Sequence, residues 1–477
     1  MFGGLRPAQY GSTDAESNAK LHLLGTKMEV LPGSDHAKDG ADGEESAIPA
    51  LYTYLGQFID HDLTFGPEGS FQKQRDPEAL TDFRTPAFDL DCVYGRGPTD
   101  QPYLYDGDSF LLGDEIHGAV DTKARDLPRN RAEPARALIG DPRNDENVIV
   151  SQFHGLFLRF HNRLVATGAS FSKAQHELQR HYQYVVLHDF LPRIVSERVL
   201  DKLKVDGHFD ASKIEHYKPK RGPFIPIEFS TAAYRFGHSM IRPGYRLNDD
   251  DATLLDIFGA TAAKDLRGKH AMDPGRGIDW GRFIDIDTRP YDGDDGTAAQ
   301  KGRLQFAYRI DTSLVGLLAQ LPGNVATGDQ SLASRNLRRG FSLGLPSGQA
   351  VANAMKLTPM KDKDILIGKA LDKLGEADTP PVPITEIDEV FTNNCPLWTY
   401  VLAEAMHHKA KIAPHGSGAP ATVTTPQLGP VGGRIVAECF LGMMYGDRSS
   451  LLRTHPHWKP EGNANYGLKD FVAFALG

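Results

Sequence analysis

Leu55-Gly56-Gln57-Phe58-Ile59-Asp60-His61-Asp62-Leu63 is the stretch on which the reading of this chain turns. Its spacing predicts a helix, with Pro49 suited to the first turn and Gly66-Pro67 supplying a stop. Each residue advances about 100° around an α-helix, so Asp60 lies about 60° to one side of Gln57 and His61 about 40° to the other. Three polar side chains share one arc, while Leu51, Leu55, Phe58 and Ile59 lie off it and can face a core. An amide, a carboxylate and an imidazole gathered inside a protein are unfavourable unless each has a partner, so the arc marks a site. Asp62 falls outside the arc and has to serve something else.

Around that helix the chain is long and moderately apolar, 477 residues with 40% hydrophobic content, ample for a large core. Its 48 glycines and 31 prolines predict many loops. The expected architecture is a mainly α fold with long loops and little β, one large domain over 49–477 preceded by an extended arm over 1–48. A net charge of −9 with no long basic run argues against nucleic-acid binding. No apolar run approaches 18 residues, so no membrane span is expected. The N-terminal residues lack the basic and apolar parts of a signal peptide, and three cysteines make neither a disulfide framework nor a CxxC pattern. Both features predict a reducing compartment, cytoplasmic or reached by release without a signal; a secreted chain trimmed of its leader would read the same way.

Downstream, Thr85-Pro86-Ala87-Phe88-Asp89-Leu90-Asp91 offers oxygen at every second position, with the Ala87 carbonyl between Thr85 and Asp89. That alternation is how calcium loops gather hard ligands, although an acidic surface loop reads the same way; Asp62 could complete the set. Gly140-Asp141-Pro142-Arg143-Asn144-Asp145-Glu146-Asn147 then enters a helix expected over 148–165, with the Asp/Asn-rich start as its N-cap. Arg143 and Glu146, three apart, make either a capping ion pair or part of a site. His154 and His161, inside that helix, read as structural histidines. Further helices are expected over 172–200, 227–241, 308–320, 336–340, 349–357, 362–374, 395–408 and 431–444, with linkers at 245–305 and 379–383. In the 227–241 stretch Arg235 and His238 share a face, and Gly237 beside the histidine suggests close approach of something flat.

Four of these segments, in this order, resemble the animal-type haem peroxidases of the peroxidase–cyclooxygenase superfamily: 56–62, 85–95, 140–146 and Tyr234-Arg235-Phe236-Gly237-His238. A looser match runs from Asn336 to Pro346. The resemblance implies haem b and calcium as cofactors, hydrogen peroxide as oxidant by way of compound I, and small phenolic or organic donors or halides (bromide, iodide, thiocyanate) as partners. It implies His61 as the distal histidine, with Gln57 and Arg143 beside it. It implies His238 as the iron ligand, Asn336 as the partner of its other ring nitrogen, and Arg235 and Arg339 as partners of the propionates. Asp60 and Glu146 match the carboxylates that esterify haem methyl groups. Asp62, Thr85, Ala87 through its carbonyl, Asp89 and Asp91 match the calcium ligands. Some members carry a methionine where this chain has Asn147, so two covalent links at most are expected.

Two other readings compete. A fatty-acid dioxygenase of the same superfamily needs a tyrosine three residues before the proximal histidine, where this chain has Arg235, with Tyr234 one step off. A haem-free hydrolase of the HD type would use His61 and Asp62 as a ligand pair.

Overall fold

The computed structural model describes residues 1–30, 43–64, 84–121, 123–251, 253–291, 302–323, 325–326, 328–370, 380–460 and 463–477. Among these, eight α-helices of nine or more residues carry the fold: α1 (Asp14–Lys27), α2 (Leu51–Leu63), α3 (Val148–Ala166), α4 (Phe171–Val185), α5 (Leu332–Ser342), α6 (Leu397–Ala405), α7 (Pro430–Gly446) and α8 (Leu468–Leu476). Strands are short and pair two by two. The mainly α expectation holds. One continuous apolar core runs from Leu24 of α1 through Phe58, Phe153, Leu337, Val401 and Met443 to Phe471 of α8. No helix among the described residues is long and apolar enough to cross a membrane.

Local chemistry sets the helix starts. Asn147 caps α3, its side-chain oxygen accepting from the N–H groups of Ile149 (3.0 Å) and Val150 (2.9 Å). Ser331 caps α5 through the Ser334 N–H at 3.0 Å. Helix α3 is buried on all sides over most of its length, the condition its nearly continuous apolar sequence calls for.

Several expectations are corrected. The N-terminal arm is not extended throughout: Thr13 caps α1 through the Glu16 N–H at 3.1 Å. Helix α1 crosses α5 so closely that a methyl on Gly25 would lie 2.8 Å from the Ser334 nitrogen. The helix read over 227–241 breaks at Ala232 (φ −129°, ψ −74°) into Ile227–Thr231 and a 3₁₀ segment, Ala233–Met240. Gly237, a poor helix former, sits in the tighter segment. The 172–200 stretch is likewise interrupted, by a π-turn at Val186–Phe190 ahead of Pro192. Proline cannot donate to a continuing helix, and the chain resumes as short turns.

In the 308–320 stretch only Gly316–Leu318 is helical, as 3₁₀. The preceding Phe306–Tyr308 is instead strand β2, antiparallel to β1 (Glu45–Pro49) with Glu45 opposite Tyr308. Pairing with a distant strand overrides local propensity there. Likewise Leu366–Ile367 pairs with Val382–Pro383 where a helix and a linker were read. The Gly66-Pro67 stop, the acidic run at 292–295 and residues 371–379 lie outside the described residues.

Strand β1 leads directly into α2, and its Glu45 is a buried junction. The carboxylate accepts from Arg303 at 2.9 and 2.7 Å and from Arg242, which lies four residues beyond His238. Both arginines are buried, so all three charges depend on one another.

A second buried carboxylate joins α6 to α7. Glu404 accepts from the N–H groups of Val431 (2.9 Å) and Gly432 (3.1 Å) at the start of α7. Burial pushes its pKa up to about 7 despite those donors. A carboxyl whose pKa rises on folding contributes stability below its unfolded value and loses it as pH climbs through the folded one. Glu404→Gln, which keeps an acceptor oxygen, is therefore expected to flatten part of the decline in Tm between pH 5 and pH 8 seen in thermal melts. A pH slope identical to the parent protein's would contradict this.

Candidate functional site

Helix α2 is buried along its whole length except at Gly56, Gln57 and Asp60. The 3₁₀ segment Ala233–Met240 is buried except at Arg235, Gly237 and His238. The two are neighbours, joined where the Tyr234 hydroxyl donates to the Gly56 carbonyl at 3.2 Å. Beside Gly237 the space is open: an added methyl would meet no atom within 4 Å. Two interior elements thus keep polar, half-buried strips while the rest of each is packed.

On the first strip, His61 Nδ1 donates to the Asn144 side-chain oxygen at 2.8 Å. An amide oxygen can only accept, so a ring proton sits on Nδ1, and in the neutral ring Nε2 carries the lone pair. A Glu146 carboxylate oxygen lies 3.8 Å from Nε2. Gln57 donates its amide to that same Glu146 oxygen, and Asn147 donates to Gln57 at 3.4 Å. The structure therefore brings together His61, Gln57 and Glu146, with half-buried Asp60 on the same helix.

Arg143 lies differently from a side chain reaching into the opening. Its guanidinium donates to the carbonyls of His61 (3.0 Å) and Thr64 and to buried Asp141 (2.8 Å). It satisfies carbonyls at the end of α2 that have no helical partner. Burial alone would raise the Asp141 pKa, but the Arg143 hydrogen bonds and charge hold it down at about 2.

On the second strip, the side-chain amide of Asn336 bridges His238 and Arg235. Its nitrogen faces His238 Nδ1 at 2.8 Å and its oxygen accepts from Arg235 at 3.1 Å. Burial, with help from the Arg235 charge, presses the His238 pKa down to about 3, so the ring is neutral. The Arg235 carbonyl accepts from Trp398 of α6 at 3.2 Å. Arg339 is half-buried on α5, three residues and so one turn from Asn336.

Behind α2, oxygens of Asp62, Asp89 and Asp91 lie within 4.8 Å of one another. Asp62 is wholly buried, and neither of its carboxylate oxygens has a hydrogen-bond partner among the described residues. Burial, then the charges of Asp89 and Asp91, drive its pKa well above the usual carboxylate range. Burial, then the charge of Asp91, lifts Asp89 to about 7. Three acids at such cost are the donor set a hard cation would relieve. Exposed Thr85 and buried Ala87 lie on the loop that carries Asp89 and Asp91, the Ala87 N–H donating to the Thr85 carbonyl at 2.8 Å. Arg84 links this cradle to the first strip, pairing with Asp91 at 3.1 Å and with Asp141 at 2.7 Å. His61 and Asp62 thus diverge, one toward Asn144 and the other toward two aspartates, and do not form an HD-type pair.

Asn144 and His154 were missed as site residues by the sequence reading. Asn144 read as one of several polar residues before a cap, and His154 as a structural histidine in an apolar helix. The His154 side chain in fact accepts from the Asn144 amide nitrogen at 3.0 Å.

Comparison with known proteins gives consistent matches. The sequence model of the family described as animal haem peroxidase matches residues 71–376. The chain is 30% identical over 210 residues to chorion peroxidase of Aedes aegypti, covering 41% of this chain and 26% of that protein. It is 27% identical over 321 residues to thyroid peroxidase of Rattus norvegicus, covering 60% of this chain and 31% of that protein. The chain thus spans under a third of the length of these relatives. Peroxidase A from Dictyostelium discoideum has a similar fold, with a TM-score of 0.60 at 15% identity, covering 99% of this chain and 92% of that one. A fatty acid alpha-dioxygenase of Oryza sativa superposes with a TM-score of 0.52 at 14% identity, covering 99% of this chain and 78% of that one.

The Arg143 geometry makes a direct prediction. Arg143→Met keeps the apolar stem but strips two carbonyls and Asp141 of a donor. With Arg84 still paired to Asp141, the loss is expected to be about 2 kcal/mol in urea unfolding. An unchanged midpoint would show that the helix end does not depend on the guanidinium.

Proposed function

Because the chain belongs to the animal haem peroxidase family, we propose that it is a peroxidase that binds haem between His61 and His238 and uses hydrogen peroxide to oxidise small donors. Family membership implies haem and an oxidoreductase activity; the residue roles, the donors and the covalent links are our reading. The observation that carries it is the matched pair of imidazoles. Each histidine meets an asparagine side chain at Nδ1, at 2.8 Å in both cases (the oxygen of Asn144 for His61, the nitrogen of Asn336 for His238), so in each ring Nε2 is the nitrogen the asparagine does not engage. The half-buried strips and the open space beside Gly237 fit a flat ligand.

When bound, haem supplies an iron centre that takes oxidising equivalents from peroxide and returns them to a donor. His238 Nε2 would hold the iron. A ring ligated there would carry its proton on Nδ1, and the Asn336 amide would then have to present its oxygen to it, giving up the hydrogen bond that oxygen now accepts from Arg235. On the opposite face, His61 Nε2 takes the first peroxide proton and returns it to the departing oxygen. General acid–base transfer of this kind contributes about 10²–10⁴-fold. Gln57 and Glu146 border that nitrogen and orient the bound oxidant. Arg143 keeps the His61 end of α2 fixed and leaves positive charge beside it. Arg235 and Arg339, on the side of His238, pair with the propionates.

We assign Asp60 and Glu146, both half-buried, to ester links with haem b. Asn147 is occupied as the cap of α3, in keeping with two links and no third. Phenolic or organic donors and bromide, iodide or thiocyanate are the proposed substrates. A calcium ion is assigned to Asp62, Asp89 and Asp91, completed by Thr85 and the Ala87 carbonyl. The dioxygenase alternative shares the fold, but the peroxidase reading is preferred: Tyr234 is buried, stacked on Phe229 with ring centroids 4.7 Å apart, and hydrogen-bonded to Gly56.

The test is spectroscopic. Protein expressed with ample haem should show a Soret band that shifts on adding peroxide and returns with a phenolic donor. His61→Ala is expected to retain the band and slow its reaction with peroxide by about 10²-fold or more. His238→Ala is expected to lose or loosen the haem, and acid–acetone should leave haem attached to peroxide-treated parent protein. A full-rate His61→Ala would sink the assignment of that histidine; complete extraction would sink the esters.

Calcium is tested separately. Chelation by EGTA should lower Tm by about 5 °C or more, restored by calcium. A Tm indifferent to both leaves the acidic cradle without a cation.

A further inference from the structure

Buried imidazoles normally satisfy both ring nitrogens, and His154 does not. It is fully buried in α3, and its Nε2 has no hydrogen-bond partner among the described residues. Its other nitrogen faces the Asn144 amide nitrogen at 3.0 Å, while the Asn144 oxygen receives the His61 proton at 2.8 Å. Asn144 is itself fully buried, and His61 nearly so. The three side chains form a sealed row leading inward from the site.

The chemistry of that row is restrictive. A primary amide has one accepting side and one donating side. Held between two Nδ1 atoms, it forces one ring to donate and the other to accept. If His154 accepts, His61 must carry its proton on Nδ1, and Nε2 is a base. If the amide turns over, His154 donates, and the His61 proton moves to Nε2, where it blocks proton uptake. The two tautomers are therefore locked in opposition.

We propose that His154 is a positioning residue that, through Asn144, fixes His61 in the tautomer with a free Nε2 lone pair. This rests on the reading of His61 as proton acceptor above. Burial keeps His154 neutral, with its pKa lowered to about 3, so the ring retains one accepting nitrogen, and the Asn144 amide nitrogen 3.0 Å from Nδ1 makes that atom the acceptor. The unpartnered Nε2–H is the structural expense of that arrangement, and a residue selected for packing alone would not carry it.

The test uses the haem-loaded protein and three forms: parent, His154→Leu and His154→Gln. Leucine fills the space but offers no acceptor, whereas glutamine keeps an oxygen for the Asn144 amide. Cyanide, whose acid form must give up a proton on binding iron, reports the distal base without turnover. The expected result is a cyanide association rate at least about tenfold slower in His154→Leu, with Soret band and Tm retained, and a rate restored to within about threefold in His154→Gln. Histidine ¹⁵N spectra of the diamagnetic ferrous carbonyl form should give parent His61 as the Nδ1–H tautomer.

Equal rates in the parent and His154→Leu would overturn the proposal. So would rates that simply follow Tm across the variants, or a parent His61 carrying its proton on Nε2. If His154→Leu does not fold, the parent tautomer and the glutamine variant decide alone: a His154→Gln that folds but stays tenfold slow overturns it. A parent protein with no Soret band overturns the haem reading and this inference with it, whereas a normal parent with an unaffected leucine variant overturns only the inference.

Discussion

Glu45 holds the two halves of the site in register. One buried carboxylate receives Arg242 and Arg303, so the strand that feeds α2 and the chain just beyond His238 converge on the same atoms. Such a junction tolerates little rearrangement, because withdrawing any member leaves a charge stranded in the interior. The histidine-bearing segments inherit that rigidity, reinforced at the other end by the Tyr234–Gly56 hydrogen bond. The proposed binding of a flat ligand between the two histidines would need a spacing that does not breathe, and the charge junction offers that rigidity from outside the site.

Support continues outward in chains of the same kind. Asp91, Arg84, Asp141 and Arg143 form a run of paired charges from the acidic cradle to the carbonyl of His61. A cation in the cradle would be felt at the distal helix through this run as well as through the adjacency of Asp62 to His61. On the other side, α1 presses on α5 at Gly25 and Ser334, two residues from Asn336. The residues expected to do chemistry are few, and most neighbouring polar groups hold them still.

Much of this was legible in the sequence. The polar arc of α2, the divergence of Asp62 and the acidic alternation around Asp89 follow from helical and loop periodicity, and the structure gathers the three aspartates accordingly. The mainly α fold follows from the same periodicity. Periodicity failed where distant partners decide. Phe306–Tyr308 became a strand because β1 lies alongside it, and the His238 segment tightened to 3₁₀ after a break at Ala232. Spacing left Arg143 open between a capping ion pair and a site residue, because it places a Cα and not the far end of a long side chain; its distal role came from the resemblance alone. Asn144 and His154 escaped because ten residues and a helix cap separate them, and only the fold shows that their polar atoms meet.

The cap at Asn147 has a consequence for its own position. A methionine there would remove the oxygen that holds the first turn of α3 and the amide that contacts Gln57. Losing such a cap costs about 1 kcal/mol. The substitution would therefore weaken the start of α3 unless another residue took over the cap, so position 147 is tied to the stability of the helix as well as to its contact with Gln57.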